Sequence, residues 1–131
     1  MAPQFRARIL LVDDEPDLID AYTRLLARSG LHCITATNSM QAQAAIRDEM
    51  PDLVITDLSL ADGTGLDIVA AASRQSPRIP VIVMTGHGTP DLARRAIDAG
   101  ARSYLIKPVS IAELRRAIDE ALHLEADSGN V

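Results

Sequence analysis

Reactive side chains follow four short apolar runs of this chain. The carboxylates of Asp13, Asp14 and Asp57, the hydroxyl of Thr85 and the ammonium of Lys107 each stand where such a run ends. Because ligands of an open parallel sheet bind beyond the carboxyl ends of its strands, we expect these five groups at one edge. Three carboxylates suit a divalent cation such as Mg²⁺, while the hydroxyl and the ammonium suit a phosphoryl group. The four runs are residues 9–12, 53–56, 81–84 and 104–106.

Asp57 is the candidate nucleophile of this set, because it is the single carboxylate at the end of the expected central strand. A carboxylate beside Mg²⁺ can attack phosphorus and form an acyl phosphate. The rest of phosphoryl transfer is mainly positioning and charge neutralisation, which Lys107 and Thr85 can help to supply. The alternative is that the aspartates merely begin turns after strands, but the complete set favours a site. Glycines loosen the loops after Asp57 and Thr85, at Gly63, Gly65, Gly86 and Gly88.

Amphipathic segments separate the apolar runs, and this alternation predicts the fold. Continuous apolar runs are typical of parallel strands that are buried on both faces. Five strands and five helices in strict alternation indicate an α/β, doubly wound parallel sheet with right-handed crossovers. The second strand, expected over residues 33–36, is the least apolar and is assigned to an edge. The helices are expected over residues 16–29, 39–49, 65–75, 90–99 and 110–124.

The last helix has the clearest start signal. Ser110 and Glu113 have the spacing of a capping box, and Val109 with Leu114 has that of a hydrophobic staple. We therefore expect one domain over residues 1–124, followed by a polar C-terminal tail or the start of a linker over residues 125–131.

Composition restricts the class of protein. The chain has 131 residues, of which 47% are hydrophobic, so it can bury a core. Its net charge of −5 argues against direct nucleic-acid binding by this chain, and no apolar run is long enough to span a membrane. Cys33 is the only cysteine, which excludes an intrachain disulfide framework and fits a cytoplasmic location.

The spaced set of Asp13-Asp14, Asp57, Thr85 and Lys107-Pro108 resembles the receiver domain of two-component response regulators, over roughly residues 7–124. The resemblance implies a CheY-like, flavodoxin-like fold with a five-stranded sheet of order 2-1-3-4-5. It also implies that Asp57 is the phosphoacceptor. Mg²⁺ would be held by Asp14 directly, by Asp13 through a water, by Asp57 and by the backbone carbonyl of Ser59.

The same resemblance assigns roles at the ends of the fourth and fifth strands. Lys107 would pair with the phosphoryl group, and the Lys107–Pro108 peptide bond is a candidate for the cis form. Thr85 and Tyr104 match the switch pair, in which the hydroxyl bonds the phosphoryl oxygen and the ring turns inward. The alternative for Tyr104 is an ordinary half-buried strand residue.

Some positions depart from the family pattern or vary within it. Leu60-Ala61 stands where Met-Pro is common, and without proline's restriction of φ this loop is expected to be more mobile. Ser59 and His87 flank the phosphorylation site and are expected to set the lifetime of the acyl phosphate, although His87 is also read as a solvated loop residue.

The resemblance predicts a switch operated by phosphorylation. Such a domain is not an enzyme, since it catalyses only its own phosphorylation and dephosphorylation. The partners would be a sensor histidine kinase or phosphotransfer protein and a downstream effector domain or protein, with a phosphorylation-dependent dimer as a further expectation. The fourth helix, fifth strand and fifth helix would form the switched face. Two alternatives stay open: a degenerate receiver that only binds partners, and a phosphatase-type enzyme with an aspartyl-phosphate intermediate. Ser59 stands where haloacid-dehalogenase-like phosphatases need a second aspartate.

Overall fold

Five parallel strands form the central sheet of the computed structural model, which describes residues 7–86 and 89–128 and the side chains as far as residue 122. The sheet order is β2-β1-β3-β6-β7. A short antiparallel hairpin, β4 and β5, follows β3. The strands are β1 Ala7–Val12, β2 Leu31–Ala36, β3 Leu53–Asp57, β4 Ser59–Leu60, β5 Gly63–Thr64, β6 Val81–Thr85 and β7 Ser103–Ile106. The helices are α1 Pro16–Ala27, α2 Ser39–Glu49, α3 Gly65–Ser73, α4 Pro90–Ala99 and α5 Ile111–Ser128.

The expected fold class is confirmed, because the order of the sheet strands along the chain is 2-1-3-4-5 once the hairpin is set aside. The register aligns the strand ends that carry the site. Val12 is paired with Thr56, so Asp13 and Asp57 follow at neighbouring positions. Asp57 is paired with Met84, and Thr85 with Ile106. The polar residues at the ends of β1, β3, β6 and β7 therefore lie at the same edge of the sheet, within about one residue of a common level along the strand direction.

The alternation of side chains along each strand divides the core into two layers. In β1, Leu10 and Val12 belong to the layer under α2, α3 and α4, whereas Ile9 and Leu11 belong to the layer under α1 and α5. The central strands β1, β3 and β6 are thus covered by helices on both faces, as a parallel sheet requires.

Helix ends follow the expected capping chemistry. The Thr89 side chain accepts a hydrogen bond from the backbone N–H of Leu92, and Pro90 begins α4. Gly100 ends α4 in the left-handed region at φ 116°, where a side chain would be strained. At α5, the Ser110 hydroxyl accepts from the N–H of Glu113 at 3.0 Å. Val109 and Leu114 are both buried in the layer under α1 and α5.

The structure differs from expectation mainly at element boundaries. α5 continues to Ser128 rather than ending at residue 124. β2 begins at Leu31, two residues earlier than expected, because backbone pairing of Leu31 with Ala7 decides the strand rather than apolarity. α3 ends at Ser73, two residues early, and the peptide bond between Ser76 and Pro77 beyond it is cis. Within the described residues, no helix is both long and apolar enough to cross a lipid bilayer.

Candidate functional site

Three carboxylates converge at the carboxyl edge of the sheet. One oxygen from each of Asp13, Asp14 and Asp57 lies within 4.8 Å of the others. Asp13 is fully buried and Asp57 is 9% exposed, whereas Asp14 is open to solvent. Adjacent strands β1 and β3 bring the first and third of these residues together although 44 positions separate them in the chain.

Lys107 lies between two of these carboxylates. Its Nζ donates to Oδ2 of Asp13 at 2.8 Å and to Oδ2 of Asp57 at 3.2 Å. Burial of the ammonium lowers its pKa, but the hydrogen bonds and charges of Asp13 and Asp57 outweigh this and raise the pKa above its ordinary value. The Lys107–Pro108 peptide bond is cis, and the backbone N–H of Lys107 donates to the carbonyl of Thr85 at 2.7 Å.

The remaining carboxylate oxygens are held by the backbone. Oδ1 of Asp13 accepts from the N–H of Glu15 at 3.0 Å, and Oδ1 of Asp57 accepts from the N–H of Ser59 at 3.3 Å. Three carboxylates against one ammonium leave the cluster two negative charges in excess. Oxygen ligands with this excess fit a divalent cation such as Mg²⁺, which takes carboxylates and keeps several waters.

Thr85 and Tyr104 lie on the neighbouring strands β6 and β7. Thr85 is 2% exposed at the end of β6. Tyr104 of β7 is paired with Val83, two residues before Thr85. The Tyr104 ring packs partly buried against the layer under α2, α3 and α4. Its hydroxyl is buried and has no hydrogen-bond partner among the described residues, and burial raises the pKa of the phenol. The Tyr104 ring therefore packs against the core in this structure, while its hydroxyl makes no hydrogen bond to the described residues.

The other candidates are exposed or lie outside the described residues. Ser59 is exposed in β4, two residues after Asp57. His87 falls outside the described residues. The arginines of α4 and α5 are all exposed, at Arg94, Arg95, Arg115 and Arg116.

Two residues that support the site are placed by the structure in roles that sequence reasoning missed. The N–H of Gly65 donates to the carbonyl of Leu58 at 2.7 Å, and a Cβ at this glycine would lie 2.7 Å from the carbonyl oxygen of Asp57. Gly65 thus permits a close approach of two backbone segments rather than loosening a loop.

Tyr22 of α1 is buried near the cluster. Burial raises the pKa of its phenol; the charge of Lys107 acts to lower this pKa and the charge of Asp13 acts to raise it. The only sequence signal for Tyr22 was its place on the apolar stripe of α1.

The family model for the response regulator receiver domain matches residues 9–119 of the chain. Among curated proteins, the chain is similar to the response regulator protein PilR of Pseudomonas aeruginosa, with 39% identity over 119 residues. It is also similar to the alginate biosynthesis transcriptional regulatory protein AlgB of Pseudomonas syringae pv. tomato, with 37% identity over 123 residues. These alignments cover 91% and 94% of the chain but only 27% and 28% of the relatives, so the chain spans about a quarter of their length.

Solved structures agree with this result. A response regulator receiver domain protein from Clostridium thermocellum superposes with a TM-score of 0.86 at 34% identity, over 92% of this chain and 97% of that one. The beryllofluoride-activated receiver domain dimer of NtrC4 superposes with a TM-score of 0.83 at 33% identity, over 88% and 96%. Together with the acidic cluster and the sheet order, these matches place the chain in the family of response regulator receiver domains of two-component systems.

Proposed function

We propose that this domain is a switch operated by phosphorylation of Asp57. A carboxylate oxygen of Asp57 attacks the phosphorus of a phosphohistidine, the bond between phosphorus and the imidazole nitrogen breaks, and the imidazole leaves and takes up a proton. The donor is the phosphohistidine of a sensor histidine kinase or phosphotransfer protein. The observation that carries the proposal is the acidic cluster bridged by Lys107, with contacts of 2.8 and 3.2 Å to two carboxylates.

The cluster fits a magnesium ion, and we propose that Asp14, Asp57 and the carbonyl of Ser59 contact it while Asp13 acts through a water. The ion, when bound, would neutralise negative charge on the phosphoryl oxygens. Lys107 supplies a second positive charge to the same group. Because its ammonium already contacts Asp57, a phosphoryl group on that residue can take over the contact with little movement of the lysine.

We propose that Thr85 and Tyr104 couple phosphorylation of Asp57 to a change in the face formed by α4, β7 and α5. Hydrogen bonds from Lys107 and Thr85 to the phosphoryl oxygens are charge-assisted and are each worth about 1.5–3 kcal/mol. Reversing a 1:99 equilibrium takes about 5.5 kcal/mol. Because Lys107 exchanges a contact that it already makes with Asp57, the Thr85 bond contributes in full and the Lys107 bond only by its difference, so the two together supply part of this free energy. Movement of the Thr85 hydroxyl would leave room for the Tyr104 ring, and the face formed by α4, β7 and α5 would change for a partner.

The partners follow from the chain's place in the family. The curated relatives are longer regulators, and AlgB is named as a transcriptional regulatory protein. We propose that residues 1–124 act on a downstream effector domain or protein, that the chain itself does not bind nucleic acid, and that a phosphorylation-dependent dimer forms. The NtrC4 receiver domain is a dimer in its beryllofluoride-activated form, which supports the last point.

Labelling with a small phosphodonor tests this function directly. The wild type is incubated with the donor, with and without Mg²⁺, beside Asp57→Asn and the matched variant Asp48→Asn, whose carboxylate is exposed on α2. We expect an acid-stable, base-labile label on the wild type and on Asp48→Asn only with Mg²⁺, and none on Asp57→Asn. An unlabelled wild type would favour the binding-only alternative, and steady turnover of a phosphoester substrate would favour the phosphatase alternative.

The decay of the label tests the two residues assigned to its lifetime. We expect Ser59→Ala and His87→Ala each to change the rate of acyl-phosphate hydrolysis, because Ser59 lies two residues after Asp57 and His87 lies two residues after Thr85, the positions that flank the phosphorylation site in the receiver family. Decay rates equal to that of the wild type would remove both residues from this role.

A further inference from the structure

The hairpin that follows Asp57 has a turn of unfavourable type. Leu60 is paired with Gly63, so Ala61 and Asp62 form a two-residue turn. Two-residue hairpin turns are most stable with positive φ at one or both turn residues. Neither Ala61 nor Asp62 has a positive φ, so the turn does not match the twist of the strands that it joins.

The base of the hairpin is held by the core, but its tip is not. Leu58 and Leu60 are buried in the layer under α2, α3 and α4, and Gly65 is hydrogen bonded to Leu58. Ala61 and Asp62 are both exposed. Any restraint on the tip must therefore come from a polar contact at the surface.

Asp62 makes such a contact with the start of α2. Its Oδ1 accepts from the backbone N–H of Ser39 at 2.7 Å, and its Oδ2 accepts from that of Met40 at 3.0 Å. These donors are two of the N–H groups that a helix start leaves without intrahelical partners. The two hydrogen bonds also lower the pKa of the Asp62 carboxyl below its ordinary value.

The cap of α2 itself does not require Asp62. The Asn38 side chain already accepts from the N–H of Gln41 at 2.8 Å, in the position where a local cap is expected. Asp62 comes from 23 residues away and satisfies the donors that Asn38 does not reach. The contact therefore joins the hairpin tip to a rigid element rather than merely completing a helix.

We propose that Asp62 is a positioning residue for the metal site: its two bonds to α2 fix the hairpin and thereby hold the backbone of Ser59, whose carbonyl is a proposed ligand of Mg²⁺. Ser59 is paired with Thr64 in this same hairpin, and its N–H contacts Asp57 at 3.3 Å. The inference rests on the proposed function, since it needs Mg²⁺ to bind at this cluster. It also explains how the loop keeps its shape with Ala61 in place of a proline.

Mg²⁺ titration of the whole chain, followed by amide chemical shifts, tests this role. We expect Asp62→Ala to raise the dissociation constant by a factor of roughly 5 to 30, which corresponds to ordering the backbone of one more residue on binding. Asp62→Asn, which keeps one good acceptor, should lie between this variant and the wild type. The matched control is Asn38→Ala, which weakens the same helix end without touching the hairpin. It should lower the thermal midpoint as Asp62→Ala does but leave Mg²⁺ affinity at the wild-type value.

A rescue variant separates positioning from stability. Proline at position 61 restricts φ at the first turn residue, a place where proline is favoured. Ala61→Pro added to Asp62→Ala should therefore restore Mg²⁺ affinity although both bonds to α2 remain absent. Equal affinity of the wild type and Asp62→Ala, or equal weakening by Asn38→Ala, would overturn the positioning role. A wild type that binds no Mg²⁺ would instead overturn the proposed function, and the inference with it.

Discussion

Gly65→Ala should damage the site although residue 65 has no polar side chain to lose. The added Cβ would lie 2.7 Å from the carbonyl oxygen of Asp57 and 3.1 Å from Cα of Leu58. A contact below 3.0 Å is one that real Cβ atoms essentially never make, and both neighbours are backbone atoms that cannot rotate away. The start of α3 and the phosphoacceptor segment must therefore move apart.

The size of the effect follows from two opposing contributions to the free energy of unfolding. Forcing an extra methyl group into a packed region destabilises the fold by about 1–3 kcal/mol. The smaller entropy of the unfolded chain with alanine returns about 0.4–1 kcal/mol. We expect a net loss of about 1–2 kcal/mol. We also expect phosphorylation of Asp57 to slow by about tenfold, since small displacements of reacting groups strongly affect rate.

Gly86→Ala is the matched control, because Gly86 flanks the same site after Thr85. A Cβ there meets no described atom within 4 Å, and its φ is not positive. The free energy of unfolding should stay constant or rise by up to about 1 kcal/mol. Urea denaturation of both variants gives the free energies, and labelling by a small phosphodonor gives the rates. Equal stability of the two variants would refute the argument from close backbone approach.

Three further predictions concern titratable or polar groups of the site and core. Without Mg²⁺, Lys107→Met should lower the free energy of unfolding by about 1–3 kcal/mol, because Asp13 and Asp57 lose the positive charge that bridges them. Added Mg²⁺ should restore part of the lost stability. Urea titrations in which the metal makes no difference would contradict this. Tyr104→Phe should raise the thermal midpoint or leave it unchanged, since the buried hydroxyl has no partner among the described residues, and a clear fall would show that it has one. Burial raises the pKa of the Cys33 thiol from 9.0 to about 11. The contribution of this thiol to the free energy of unfolding is therefore complete below pH 9.0 and should be lost as the pH rises toward 11. Alkylation of Cys33 at pH 9.0 should be slower in the folded chain than in urea, and equal rates would contradict the burial.

The sequence was sufficient for the sheet and for the groups that meet at its edge. Apolar runs marked the central strands because parallel strands must be buried on both faces, and the polar residues after those runs had to share an edge. Thr89-Pro90 and Gly100 defined α4 completely, since capping and positive φ are local properties that the residue types themselves encode.

What could not be predicted depends on contacts between distant segments. The length of β2 is set by pairing with β1, so its start at Leu31 has no local signal. Asp62 caps a helix that begins 23 residues earlier, and its spacing matches no capping motif. The sequence around Gly65 favours a flexible position, because the Asp57 carbonyl that its backbone approaches is brought there only by the fold.

The bridge from Lys107 to Asp13 joins positions that are 94 residues apart, and the bridge to Asp57 spans 50. Neither contact can form in a nascent chain until β7 has docked on β6, at the far edge of the sheet. Contacts of such long sequence separation slow the folding of a small domain, because the entropy of loop closure is lost before the contact forms. A complete phosphoacceptor pocket therefore reports that the whole sheet has assembled, and partly synthesised or truncated chains that end before residue 107 would not react with any phosphodonor.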